Sequence, residues 1–111
     1  MEVKRGDVVL ILMRGDVGKP RPGVVVQSDQ LSESASSVLV CPMSSDVREP
    51  GIIRPIVEPD ETNGLRVRSQ IMTDKLSALR NDRIRRTLGT LNAQTLERLD
   101  RALLIVLDLA R

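Results

Sequence analysis

Hydrophobic positions fall in short runs cut apart by glycine, proline and acidic turns, and only the last run has a helical period. "DVVLILM" (7–13) is a β-branched and aliphatic stretch after Arg5-Gly6, which predicts a buried strand. "RGDVGKPRP" (14–22) reads as a loop whose prolines fix the backbone on both sides of Arg21. "GVVVQS" (23–28) is expected as a second strand. "DQLSESASS" (29–37) carries a turn or short helical piece, and "VLVCPM" (38–43) is a third strand stopped by Pro42. "IIRPIVE" (52–58) predicts a fourth, placed at an edge by Pro55. After "PDETNG" (59–64), where Asn63-Gly64 is a hairpin signal, "LRVRSQIM" (65–72) alternates as a fifth strand should. "TDKLSAL" (73–79) starts as a short helix with Thr73 as cap, and "IRRTLGTL" (84–91) is a last short strand.

The closing run differs in period. Asn92 caps "AQTLERLDRALLIVLDLA", in which Leu96, Leu99, Leu103, Val106 and Ala110 recur at helical spacing. Leu104, Ile105 and Leu107 widen the stripe beyond one face, so this helix is expected to pack on more than the sheet. With no repeat, linker or low-complexity tract, residues 1–111 are read as one domain. The expected fold is small and mainly β (α+β): an SH3-like barrel of five to seven short, mostly antiparallel strands with a C-terminal helix.

Composition sharpens this picture at two points. There is no Phe, Tyr or Trp, so the core must be built from Val, Leu, Ile and Met. The single cysteine, Cys41, excludes an internal disulfide and a thiolate metal cluster. No apolar run approaches the roughly 20 residues of a membrane span, and no signal-peptide stretch is present, so the expected location is the cytoplasm with no membrane partner.

A formal net charge of +2 is uninformative, but its distribution is not. Residues 1–61 hold seven basic against ten acidic groups, whereas residues 62–90 hold seven basic against two acidic. Of the 17 basic residues, 14 are arginine, the side chain that grips phosphate bidentately and stacks on bases.

Zero histidines remove the usual general base, metal ligand and proton shuttle. Cys41 sits in an apolar strand without an activating partner and reads as core. No nucleotide-binding or metalloprotease motif occurs, and Asp7, Asp16 and Asp46 lie at expected strand ends in no metal-ligand spacing. No cofactor or metal is expected. Arginines, hydroxyls and backbone amides remain, and they suit phosphoryl transfer on a substrate that carries its own nucleophile. RNA does so through its 2′-hydroxyl. The enzyme then orients the phosphate, offsets its growing charge and helps two protons move. Arg21 offers donors from a preset position, and a strand-end hydroxyl such as Ser44 would hold a phosphate oxygen. Arginine is normally protonated, which favours a clamp or general-acid role over that of a base.

Five segments in order resemble the MazF/PemK toxins of type II toxin–antitoxin systems: "KRGDVVLI" (4–11), "RPGVVVQSD" (21–29), "VLVCPMSSD" (38–46), "VRSQIMTDKLSAL" (67–79) and "RTLGTLNAQTLERLDRALLIVLDL" (86–109). The resemblance implies the CcdB-PemK barrel and a metal-independent, sequence-selective endoribonuclease cutting single-stranded RNA. It also implies a homodimer and inhibition by a cognate antitoxin laid into the RNA groove. The family's cleavage residues fall on Arg21 and Ser44. Lys19, Ser45, Arg48, Arg68, Ser69 and Gln70 complete the expected RNA-contacting set, with arginine planes such as Arg68 replacing the missing aromatic rings.

Two departures stand out. The family loop "GxEQxGxRP" is here "GKPRP" (18–22), without the Glu-Gln pair and read as shorter, and Ser69 stands where the family commonly has an acid before Gln70. Two other classes share the fold. One is a non-enzymatic nucleic-acid- or protein-binding module, and the other a gyrase poison of the CcdB type. The latter acts through a Trp-containing C-terminal tail, whereas this chain ends "LDLAR".

Overall fold

Val8 and Val9 are neighbours that point to opposite sides of a strand, yet both are fully buried. The sheet is therefore covered on both faces, which is why its strands read as continuous apolar runs rather than strict alternations. The computed structural model describes residues 2–31 and 36–110. Among these lie strands β1 (Asp7–Ile11), β2 (Arg21–Val25), β3 (Ser37–Ser44), β4 (Ile56–Val57), β5 (Ser69–Ile71), β6 (Ser77–Arg80) and β7 (Ile84–Thr90), then helix α1 (Ala93–Val106). The pairings are antiparallel in the order β4-β5-β3-β2-β1-β7, with β6 also on β3.

One apolar layer joins Val8, Val24, Cys41, Met43 and Ile71 to Leu99 of α1. The other joins Val9, Ile11, Val25, Val40 and Ile84. The curled antiparallel sheet with one C-terminal helix is the fold the sequence led us to expect. Asn92 caps α1 as expected, its Oδ1 accepting from the Thr95 amide at 2.8 Å. Thr95, Leu99 and Ala102 are the helix's buried residues. Leu104, Ile105 and Leu107 are 43–49% exposed, so the widened stripe is not core in the single chain.

Several boundaries differ from expectation, and each has a partner distant in sequence. β2 begins at Arg21 because that residue already pairs with Ile11 of β1. Pro42 does not stop β3: it lies opposite Gly23 while Cys41 and Met43 pair with β2 and β5. β4 is the edge strand that Pro55 predicted, but only two residues long. The expected helix over 73–79 is one 3-10 turn (Thr73–Lys75) followed by β6. Thr73 does not cap it, because its hydroxyl donates to the Ile53 carbonyl. Of the segment 29–37, Asp29–Leu31 is a 3-10 turn, and residues 32–35 lie outside the described residues.

The expected fifth strand starts late, at Ser69, because residues 58–68 form a loop fastened at both ends. Asn63 is buried; its Nδ2 donates to the Glu58 carbonyl (2.9 Å) and its Oδ1 accepts from the Leu65 amide (3.0 Å). The loop then presses onto β7. A Cβ at Gly64, whose φ is +71°, would stand 2.2 Å from the Leu88 carbonyl oxygen, and one at Gly89 2.2 Å from that of Thr62. The Thr90 amide donates to Thr62 O at 2.8 Å. The loop thus ties the β4 end of the strand order to the β7 end and holds Arg66 and Val67 on the outside.

Candidate active site

Arg21 opens β2 and Ser44 closes β3. The register pairs Val24 with Cys41 and Gly23 with Pro42, so continuing it two residues brings Arg21 opposite Ser44. Close packing of β1 on β2 here requires Gly23, where a Cβ would lie 2.7 Å from Ile11 Cδ1. Arg21 and Ser44 also share the wall of one open cavity of about 410 Å³, together with Asp16, Lys19, Ser45, Ser69 and Val67.

Asp16 is a functional candidate that sequence reasoning passed over. Its Oδ2 and Oδ1 accept from Arg21 Nε and Nη2, both at 2.7 Å, and its side chain is 15% exposed. Such a bidentate fork fixes the guanidinium plane as well as its position. The signal was present: Asp16 stands five residues before Arg21, as the glutamate does in the pattern "GxEQxGxRP". The loop is therefore neither short of an acid nor shorter over that span. It turns through Gly15, Val17 and Gly18, all at positive φ. Val17, β-branched at φ +52°, is strained there.

Ser44 Oγ accepts from the Asp46 amide at 3.1 Å, and its proton has no acceptor among the described residues. A hydroxyl can donate and accept at once, so Ser44 can offer this proton to an oxygen entering the cavity. Lys19 and Ser45 are exposed on the same wall.

The remaining expected contacts fall elsewhere or are occupied. Ser69 lines the cavity but is buried, its hydroxyl donating to Val67 O at 2.9 Å. Gln70 is buried and holds the loop after β3: its Oε1 accepts from Arg48 N (2.9 Å), and its Nε2 donates to the carbonyls of Arg48 (2.7 Å) and Arg54 (2.8 Å). Arg48 pairs with Asp46 at 3.1 Å and borders a separate, more apolar cavity with Ile52 and Ile53. Arg68 donates to Glu49 (3.1 Å) and Glu58 (2.8 Å), and these hydrogen bonds keep its guanidinium firmly protonated. The cavity therefore gathers Arg21, Ser44, Lys19, Ser45 and Ser69, and leaves out Arg48, Arg68 and Gln70.

Cys41 lies fully buried in β3, and burial pushes its thiol from the ordinary 9.0 up to about 12, as suits a core residue. Among the described residues no three His, Cys, Asp or Glu side chains come together to hold a metal ion.

Residues 4–107 match a family described as PemK-like, MazF-like toxin of type II toxin–antitoxin system. The chain is 34% identical over 109 residues to a probable endoribonuclease MazF of Mycolicibacterium smegmatis, covering 97% of this chain and 99% of that protein. Among solved structures, an endoribonuclease in complex with its cognate antitoxin, from a mycobacterial species, superimposes with a TM-score of 0.80 at 17% identity. That match covers 99% of both chains. Mycobacterium tuberculosis toxin MazF-mt6 superimposes with a TM-score of 0.78 at 20% identity, over 92% of this chain and 96% of that one.

Proposed function

Because this chain belongs to the PemK-like, MazF-like toxins of type II toxin–antitoxin systems, we propose that its Arg21, Ser44 and Asp16 make the 2′-hydroxyl of single-stranded RNA attack the adjacent phosphorus. The protein is an endoribonuclease, and what this reading adds is the division of labour. The observation that carries it is the placement of Arg21 and Ser44 at facing ends of β2 and β3, on the wall of one open cavity.

In the reaction the 2′-oxygen forms a bond to phosphorus and the bond to the 5′-oxygen breaks, leaving a 2′,3′-cyclic phosphate and a 5′-hydroxyl. Negative charge builds on the non-bridging oxygens. Arg21 lies in position to offset it, and Ser44 to donate one hydrogen bond to it, both without reorganisation at the moment of reaction. Two protons must also move. Asp16 is the carboxylate lining the cavity and receives the one leaving the 2′-hydroxyl. Arg21 donates toward the departing 5′-oxygen. No step calls for a metal ion.

Selectivity for sequence, a homodimeric active form, a cytoplasmic setting and a cognate antitoxin seated over the RNA groove complete the proposal. The solved relative in complex with its cognate antitoxin supports an antitoxin as partner. Among the described residues no helix is long and apolar enough to cross a membrane. The test is one long RNA incubated with the protein in excess EDTA, with the fragment ends mapped. Cyclic-phosphate and 5′-hydroxyl ends support the mechanism; loss of all cleavage in EDTA, or 5′-phosphate ends, rejects it.

A further inference from the structure

The cavity holding Arg21 and Ser44 has a neighbour. A second cavity of about 320 Å³ shares Pro22, Val67 and Ser69 with it, so the two adjoin along these residues. The register explains the second floor: Leu10 of β1 pairs with Pro22 on one side and with Arg86 of β7 on the other. A register shift after Leu10 leaves both Arg85 and Arg86 exposed. Arg66 enters from the opposite wall, on the loop that Asn63, Gly64 and Gly89 pin to β7. Leu10, Pro22, Leu65 and Leu88 give this chamber an aliphatic base, and two cations stand at its rim.

The cations of the basic segment are not all available to a ligand. Within residues 62–90, Arg68 and Arg80 are engaged by carboxylates. Arg66 and Arg86 have no carboxylate partner among the described residues. Two unneutralised guanidiniums beside an apolar floor, next to a phosphate-handling cavity, are complementary to a polyanion whose bases are flat and weakly polar. β2 and β7 lie two strand spacings apart, roughly 10 Å, so whatever occupies the chamber flanks the reacting linkage.

We propose that Arg66 and Arg86 form a subsite for the RNA on one side of the scissile bond, gripping its phosphates while an unstacked base rests on Leu10, Pro22 and Leu88. The inference rests on the RNA-cleaving reading above. It assigns to this chain a second determinant of substrate length and sequence, separate from Arg21 and Ser44.

The experiment compares the full-length protein with Arg66→Ala/Arg86→Ala. A fluorescent 2′-O-methyl oligoribonucleotide serves as probe, because it lacks a free 2′-hydroxyl and cannot be cut. Binding is measured across a salt series, with circular dichroism and size-exclusion chromatography as controls. For two lost phosphate contacts on a single strand, the slope of log affinity against log salt falls by about 1.4. Arg66→Lys/Arg86→Lys retains most of the slope. Unmodified RNAs of increasing length then show a gain in kcat/KM with length that the alanine variant lacks. An unchanged slope, an equal rate loss on short and long RNA, or conversion of a dimer to a monomer overturns the proposal; the last would make the pair a subunit contact. Failure of the wild-type protein to cut any RNA would sink the nuclease reading, while the uncleavable probe still reports on the subsite.

Discussion

Asp16 holds Arg21 through two hydrogen bonds of 2.7 Å, and the guanidinium so held lines the same cavity as Ser44. The arginine is positioned twice: by the prolines on either side, which restrict its backbone, and by a carboxylate that sets its plane. A charge clamp works only when it is in place before the reaction begins.

Asp16→Asn keeps the shape of the acceptor but removes its charge and one of the two accepting oxygens. The expected result is a fall in kcat of about 10²–10⁴-fold, because the acceptor of the 2′-hydroxyl proton is lost along with one of the oxygens that hold Arg21. Stability should hardly move, because a partly exposed pair contributes no more than about 1 kcal/mol. Cleavage rates on a short RNA together with urea unfolding check both halves. Unchanged cleavage would remove Asp16 from the mechanism.

Ser44→Ala removes the hydroxyl whose proton is uncommitted in the cavity. Losing one preorganised donor to a developing oxyanion costs on the order of 10²–10³ in kcat, with the fold intact. Ser44→Thr, which restores the hydroxyl, should recover most of the rate. Single-turnover rates separate this from an effect on RNA binding.

Gly89→Ala places a methyl group where the Thr62 carbonyl oxygen stands, 2.2 Å from the new Cβ. The loop 58–68 must lift from β7. Overpacking of this kind costs about 1–3 kcal/mol, read as a lower urea midpoint at unchanged m-value. The same shift should loosen Arg66 and Val67 over the groove, so RNA affinity should fall along with stability.

Cys41 yields a pH dependence with a definite sign. Its folded thiol is raised from 9.0 to about 12, so the unfolded chain loses this proton first. The stabilising contribution is complete below pH 9 and is lost as pH rises from there toward 12. Cys41→Ala should flatten that alkaline limb, at the cost of a small cavity at neutral pH. Urea unfolding between pH 8 and 11 is the measurement. Native protein should also resist thiol reagents near neutral pH and react only on unfolding.

Much of this was legible where the determinants are local. β1 follows from a β-branched run, and α1 from Asn92 with its helical leucine spacing. The edge position of β4 follows from Pro55. What escaped depends on partners far along the chain. Thr73 reads as a cap until its hydroxyl is found on the Ile53 carbonyl, and 65–68 reads as strand until Gly64 is seen pressed against Leu88. Gln70 is expected at the RNA only from the resemblance to the family pattern, whereas its amide is spent on the backbone of Arg48 and Arg54. Arg68 drew notice as part of a basic run whose neutralising acids, Glu49 and Glu58, lie in other segments. Asp16 is legible by its spacing of five residues before Arg21, but its hold on the guanidinium emerges only in the folded loop.

The central claim is that Arg21 and Ser44, without a metal ion, cleave RNA by way of its own 2′-hydroxyl. The most direct measurement is cleavage of one defined RNA in excess EDTA by the wild-type protein and by Arg21→Ala, with circular dichroism confirming that both are folded. The account predicts 2′,3′-cyclic phosphate ends from the wild type and loss of at least 10²-fold in rate in the variant, the scale of one removed charge-stabilising group. A folded Arg21→Ala protein that cuts the same sites at the wild-type rate would contradict it.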